Sequence, residues 1–156
     1  MTNQLRDPHT RFDALSEPSG ELYELTGLNL EGAKIPASVR RVRSEGGLER
    51  LKKVVEEHGL EAHLLENTKD LRFWAALHKE RMIALAYSCH LHTDYSLVGG
   101  LWVMPEHRKQ EVGRLLLTQM AISARLRAPG QPLFARGEPE SVLAKTLSAA
   151  GFSRQH

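Results

Sequence analysis

At 156 residues the chain fits one domain with a core of its own, and a composition 41% apolar and 26% charged is that of an ordinary globular protein. A net charge of +2, with histidines neutral, is too small for a nucleic-acid binder, which ordinarily carries a strongly basic face. The single cysteine, Cys89, excludes an internal disulfide framework and a cysteine-based zinc site, no run approaches a membrane span, and the first residues lack an apolar signal core, so a cytoplasmic location is expected.

Residues 1 to 47 are broken up by Pro8, Pro18, Gly20, Gly27, Gly32 and Pro36 and show no sustained periodicity. They are read as an irregular N-terminal segment of the same domain, with a short helix or strand within Glu21 to Leu30 and an extended stretch at Ser38 to Arg43. Arg40, Arg41 and Arg43 form a basic cluster that reads as a solvated face sooner than a partner patch. Leu48 to His58 has helical spacing, with Leu48, Leu51, Val54 and Val55 on one face and Gly59 as the stop. Leu71 to Leu77 and Met82 to Leu91 are β-leaning runs joined by the polar tip His78 to Arg81, which predicts a hairpin. The second run is apolar at almost every position to Tyr87, as in a strand covered on both faces.

Leu97 to Met104 predicts the next strand, with Gly99 and Gly100 marking a bulge or a plain irregularity. Pro105 breaks that run, and from Lys109 to Arg127 the apolar residues Val112, Leu115, Leu116 and Met120 recur at helical spacing. Pro132 to Arg136 is a short strand which, arriving after a helical crossover, should lie parallel to the Leu97 to Met104 strand. A last helix opens near Gly137-Glu138-Pro139 and closes at Gly151, with Phe152 folding back on Leu147. Strand, tight turn and helix thus bring Arg108, Lys109, Arg114 and Gly113 together at a helix start. The first turn of a helix leaves N–H groups unpaired and carries partial positive charge, so this is a candidate anion cradle.

Val103-x-Pro105-x-x-Arg108-x-x-Glu111-x-Gly113-Arg114-x-Leu116-Leu117 resembles the acetyl-CoA signature of the GNAT superfamily of acyl-CoA-dependent N-acyltransferases, and the likeness runs from about Leu71 to Phe152. It implies an α/β (α+β) fold in which residues 48 to 156 form a GNAT-like domain, a mixed central sheet with helices on both faces. The final strands are expected to be truncated, because the chain stops four residues after Phe152. The implied cosubstrate is acetyl-CoA, with no metal. Its pyrophosphate would lie on Arg108, Lys109, Gln110, Val112, Gly113 and Arg114, and its pantetheine arm along Leu101 and Val103. An amine acceptor, small molecule or protein, completes the expected partners, with no membrane or nucleic acid.

The sequence departs from the family pattern at two chemically telling places. Glu111 stands where the first glycine is usual, which predicts weaker CoA affinity, and Leu147 replaces the tyrosine thought to protonate the departing thiolate. His90, His92 and Asp94 cluster where an acceptor amine would enter and are the candidate bases, against the alternative of a polar surface loop. Trp102 either walls the acceptor pocket or sits in the core. Two functions follow: acetyl transfer to an amine by direct attack in a ternary complex, or a non-catalytic binding or assembly protein with a degenerate CoA slot. A short C-terminus would also leave one sheet edge open, and a homodimer through that edge is expected.

Overall fold

The computed structural model describes residues 21–60, 71–89, 96–127, 129–138 and 140–155. In chain order these form β1 (Glu21–Leu25), β2 (Ser38–Val42), α1 (Glu45–Glu57), β3 (Leu71–His78), β4 (Arg81–Cys89), β5 (Ser96–Val103), a 3₁₀ turn at Pro105–His107, α2 (Val112–Arg127), β6 (Leu133–Gly137), α3 (Val142–Ala150) and β7 (Phe152–Arg154). The strands make one mixed sheet in the order β2-β3-β4-β5-β6-β1-β7. Among the described strands only β5 and β6 run parallel, as a strand–helix–strand crossover through α2 requires.

The β3–β4 hairpin closes more tightly than the four-residue polar tip suggests. His78 pairs with Arg81, leaving Lys79 and Glu80 as a two-residue turn with φ of 51° and 65°. Both positive angles match the twist of the flanking strands, although neither residue type favours them. Met82 to Tyr87 of β4 are all buried, so this central strand is covered on both faces.

Strand pairing tells which helix covers which face. Val103 pairs with Ala84, Ala84 with Ala76 and Ala76 with Val39, and Val103 packs on Gly113 of α2. Val42 lies three residues from Val39 and therefore points to the other face, where it meets Gly47 of α1. Helices thus flank the sheet on both sides, α1 on one and α2 on the other, with α3 beside α2. Leu116 and Leu117 are fully buried, each worth about 1.5–3 kcal/mol relative to exposure. Within α2 the buried polar side chains are Arg114 and Thr118, whereas Gln119 is exposed.

α3 is followed by β7, a strand of three residues. The far edge of β6 is not open. β1, from the N-terminal segment, is inserted between β6 and β7 and pairs antiparallel with both, Tyr23 facing Ala135 on one side and Arg154 on the other. On this side the sheet ends at the three-residue β7 and not at β6, so the open edge invoked for a homodimer lies beyond β7. The strand that pairs with the far side of β6 lies more than a hundred residues away in sequence.

From β1 the chain must reach β2 on the opposite side of the sheet. The connector, residues 26–37, passes the end of α3 and the start of α2 on the way. The Gly151 carbonyl accepts from the N–H groups of Thr26 and Gly27 at 3.0 and 3.2 Å, and the Gln110 carbonyl accepts from Lys34 N–H at 2.8 Å. At its far end the Pro36 carbonyl meets His78 Nδ1 at 2.5 Å.

Candidate functional site

The slot begins where the parallel ladder ends. β5 and β6 pair at Ser96 with Leu133, Leu97 with Phe134 and Val98 with Ala135. Beyond that, Gly99 to Val103 continue without β6 as a partner, and the two strands splay. On its other side β5 is bulged: between the Tyr87–Gly99 and Leu85–Trp102 pairs it advances one residue more than β4. The Gly99-Gly100 pair lies at this irregularity, in keeping with a bulge. Leu101 and Val103, two residues apart on the strand, share the α2 face, where both approach Gly113. A Cβ at Gly113 would lie 3.2 Å from Val103 Cγ2 and 3.3 Å from Leu101 Cδ2.

Between β5 and α2 the backbone changes handedness residue by residue. Lys109 and Glu111 have φ of 70° and 66°, and Gln110 between them does not share that positive φ. Alternating handedness turns successive N–H groups toward one concavity, an arrangement suited to an anion. It also explains why α2 starts at Val112 and not at Lys109: two left-handed residues cannot belong to a right-handed helix. Glu111 thus occupies, in a conformation that glycine adopts freely, the position at which the family usually has glycine.

The helix starts differ in one respect that bears on binding. α1 is capped by Ser44 Oγ, which accepts from Gly47 N–H, and α3 by Ser141 Oγ, which accepts from Ala144 N–H, each at 3.0 Å. Among the described residues no side chain accepts from the N–H of Val112 or Gly113 at the start of α2. Its first helical bond runs from Leu115 N–H to the Glu111 carbonyl at 3.0 Å, so helix geometry leaves the preceding donors without an intrahelical acceptor.

The cationic side chains expected on the pyrophosphate divide. Lys109 is exposed. Arg108 donates from Nε to the Val103 carbonyl at 2.8 Å, bracing the turn, and so engages one of the strand-edge groups expected on pantetheine. Arg114 is 3% exposed and turns away from the loop. Its guanidinium donates to the carbonyls of Asn29 (3.1 Å), Glu31 (2.7 Å) and Gly32 (2.9 Å), while Nε meets Glu111 Oε2 at 3.1 Å. The Arg114 side chain, assigned from sequence to phosphate, instead holds the connector, because a buried guanidinium must spend its donors on acceptors within reach. Gln110 places its amide oxygen 3.0 Å from His107 Nδ1.

The candidate bases His90, His92 and Asp94 lie outside the described residues. Trp102 belongs to the core, 2% exposed, with the His58 ring 4.8 Å from its own. Leu147 is fully buried, so the position of the usual tyrosine is filled by an aliphatic side chain. Sequence patterning missed the connector's carbonyls as a structural ligand set for Arg114, since nothing local marks Asn29, Glu31 or Gly32 as neighbours of residue 114. Among the described residues there is no group of three His, Cys, Asp or Glu side chains that could hold a metal, and no helix long and apolar enough to cross a membrane.

A parallel pair whose ladder ends beside a bulged strand, followed by the start of α2, is the arrangement implied by the signature, and comparison with known proteins gives the family and the fold. The profile described as "Acetyltransferase (GNAT) family" matches residues 42–133, and the chain belongs to that family. No curated protein matches it by sequence. Among solved structures it is similar to aminoglycoside N-acetyltransferase AAC(6')-Iy in complex with CoA, at 16% identity and a TM-score of 0.61, covering 83% of this chain and 94% of that one. It is also similar to a GCN5-related N-acetyltransferase from Kribbella flavida, at 14% identity and a TM-score of 0.62, covering 86% of this chain and 54% of that one. A third is an aminoglycoside acetyltransferase, meta-AAC0020, from an uncultured soil metagenomic sample in complex with sisomicin, at 14% identity and a TM-score of 0.53, covering 74% and 86%. At these identities the likeness is one of fold.

Proposed function

We propose that the chain is an N-acetyltransferase that moves an acetyl group from acetyl-CoA to an amine by direct attack in a ternary complex. The observation that carries this is the start of α2: unlike α1 and α3 it has no serine cap, and it stands at the mouth of the splayed strands. Backbone N–H groups from Gln110 to Arg114, with the exposed Lys109, hold the pyrophosphate. The β5 edge at Leu101 and Val103, where Arg108 already holds the Val103 carbonyl, receives the pantetheine arm.

A thioester is already activated, so the protein's main task is to hold the amine nitrogen against the carbonyl carbon while strand N–H groups favour the developing negative charge. The C–N bond forms as the C–S bond breaks, and the nitrogen's proton leaves to a base, for which His90, His92 and Asp94 are the candidates. Leu147 carries no hydroxyl for the departing thiolate. General-acid help is worth about 10²- to 10⁴-fold in rate, so turnover slower than in family members with a tyrosine is expected. Ser141 is engaged as a helix cap, and Ser148 is exposed. The aminoglycoside enzymes among the fold neighbours favour a small polyamine acceptor, and a cytoplasmic location suits the use of acetyl-CoA.

The buried Leu147 favours one other function, a non-catalytic protein that retains the fold and part of the slot. One experiment separates the two. CoA affinity is measured by calorimetry, and thiol release from acetyl-CoA is then followed with a panel of amines that includes an aminoglycoside. Turnover supports the enzyme, CoA binding without turnover supports the second function, and no binding of CoA rejects the first.

A further inference from the structure

Glu111 holds φ at 66°, a conformation that glycine adopts freely and a residue with a side chain does not. Such a residue persists only where its surroundings over-determine it, and positions of this kind gather at ligand clamps. Glu111 is fixed from several directions. Its carbonyl accepts from Leu115 N–H at 3.0 Å, its carboxylate meets Arg114 Nε at 3.1 Å, and the Gln110 carbonyl, in the peptide just before it, accepts from Lys34 N–H at 2.8 Å. The last two restraints lead to the connector, because Arg114 also donates to the carbonyls of Asn29, Glu31 and Gly32. On the same helix Thr118 Oγ1 donates to the Asn29 carbonyl at 3.2 Å.

The peptide bond gives this arrangement a direction. In a trans peptide the carbonyl and the N–H that follows it point opposite ways, and no peptide among the described residues is cis. Lys34 N–H draws the Gln110 carbonyl toward the connector, so Glu111 N–H is turned to the other side of the loop. That side is the concavity toward which the alternating handedness of Lys109, Gln110 and Glu111 directs successive N–H groups. The connector thus backs the loop and leaves its donor face clear.

We propose that the connector is a working part of the coenzyme loop and that Arg114 is its positioning residue. By fastening Glu111 to residues 29–32 it keeps a residue with a side chain in the conformation that aims Glu111 N–H at the diphosphate. The inference rests on the function proposed above and goes beyond it by assigning Arg114 an effect on CoA that involves no contact with it. Arg114 achieves from a side chain what a glycine at position 111 would achieve from the backbone. Loop and connector then form one unit, so a ligand that steadies the loop also steadies the connector, and the reverse.

The test is a double-mutant cycle on CoA affinity, measured by calorimetry on the unmodified full chain, Arg114→Met, Glu111→Gly and the two combined. Arg114→Met should weaken CoA binding about tenfold where Glu111 is retained and less than about threefold in the Glu111→Gly background, because glycine needs no such support. A role in stability alone would lower the urea midpoint in both backgrounds and leave the affinity of the folded protein unchanged. That result, or an equal loss of affinity in the two backgrounds, overturns the proposal. Hydrogen exchange of the unmodified chain is a second readout that requires no variant to fold. Saturating CoA should slow exchange of the Lys34 amide at least about fivefold, with the Leu60 amide at the end of α1 unchanged. An unchanged Lys34 rate overturns the proposal as well. CoA binding without these effects removes this inference and leaves the proposed function standing, whereas no binding of CoA by the unmodified chain removes both.

Discussion

Arg114, on the first turn of α2, donates from Nη2 to the carbonyl oxygen of Glu31 at 2.7 Å, across 83 positions of sequence. With the Asn29 and Gly32 carbonyls and the Glu111 carboxylate it completes a cage around one buried guanidinium. Replacing Arg114 by Met keeps much of the apolar stem and removes the charge and its bonds. Urea unfolding should show a loss of about 2–4 kcal/mol, since hydrogen bonds to a charged group are worth about 1.5–3 kcal/mol each and are not additive. Lysine should not restore it, because a point charge cannot reach several carbonyls in a fork.

Glu111→Gly should leave stability within about 1 kcal/mol of the original, the relief of a left-handed residue offsetting the loss of a half-exposed pairing with Arg114. CoA should bind about two- to fivefold tighter by calorimetry, because a carboxylate leaves a helix start whose dipole favours anions by about 0.3–1 kcal/mol. Unchanged affinity would mean that the Glu111 carboxylate stays clear of the diphosphate.

Gly113 is a steric gauge of the slot. Alanine at this position presses on the flexible ends of Val103 and Leu101 and should cost no more than about 1 kcal/mol. Leucine should cost about 1–3 kcal/mol and abolish CoA binding, read by urea unfolding and calorimetry on the same preparation. Retained CoA affinity in Gly113→Leu would place the coenzyme elsewhere.

Gly151 has φ of 113°, and a Cβ there would stand 1.6 Å from the Gly27 carbonyl oxygen. Gly151→Ala should therefore displace the connector and cost about 2–4 kcal/mol. Hydrogen exchange should report the change locally, with the amides of Thr26, Gly27 and Asn29 losing protection before those of β4.

What the sequence reveals of this fold is what local periodicity can encode. The β3–β4 hairpin, the end of α2 at Arg127 and the left-handed stop at Gly151 are each declared by neighbours in the chain. α1 starts at Glu45, earlier than the apolar pattern at Leu48 suggests, because Ser44 caps it. α3 starts later than Pro139 suggests for the same reason, with Ser141 setting the boundary. Within the candidate site, the turn after β5 was legible from Pro105 and the helical spacing beyond it. The role of Arg114 was not: its acceptors are main-chain carbonyls, which carry no residue signature. Nor was the place of β1, since five residues of mixed polarity show no preference for β6 and β7 over any other edge.

The placement of β1 has a consequence for synthesis. Glu21 to Leu25 are among the first described residues to leave the ribosome, yet their pairing partners, Phe134 to Gly137 and Phe152 to Arg154, are among the last. The nascent N-terminus must wait for the sheet to be threaded together around it, so closure of the domain is a late and slow event governed by loop entropy across more than a hundred residues. A fusion partner or truncation at the front of this chain is therefore felt at its back, in the seating of α3 and β7.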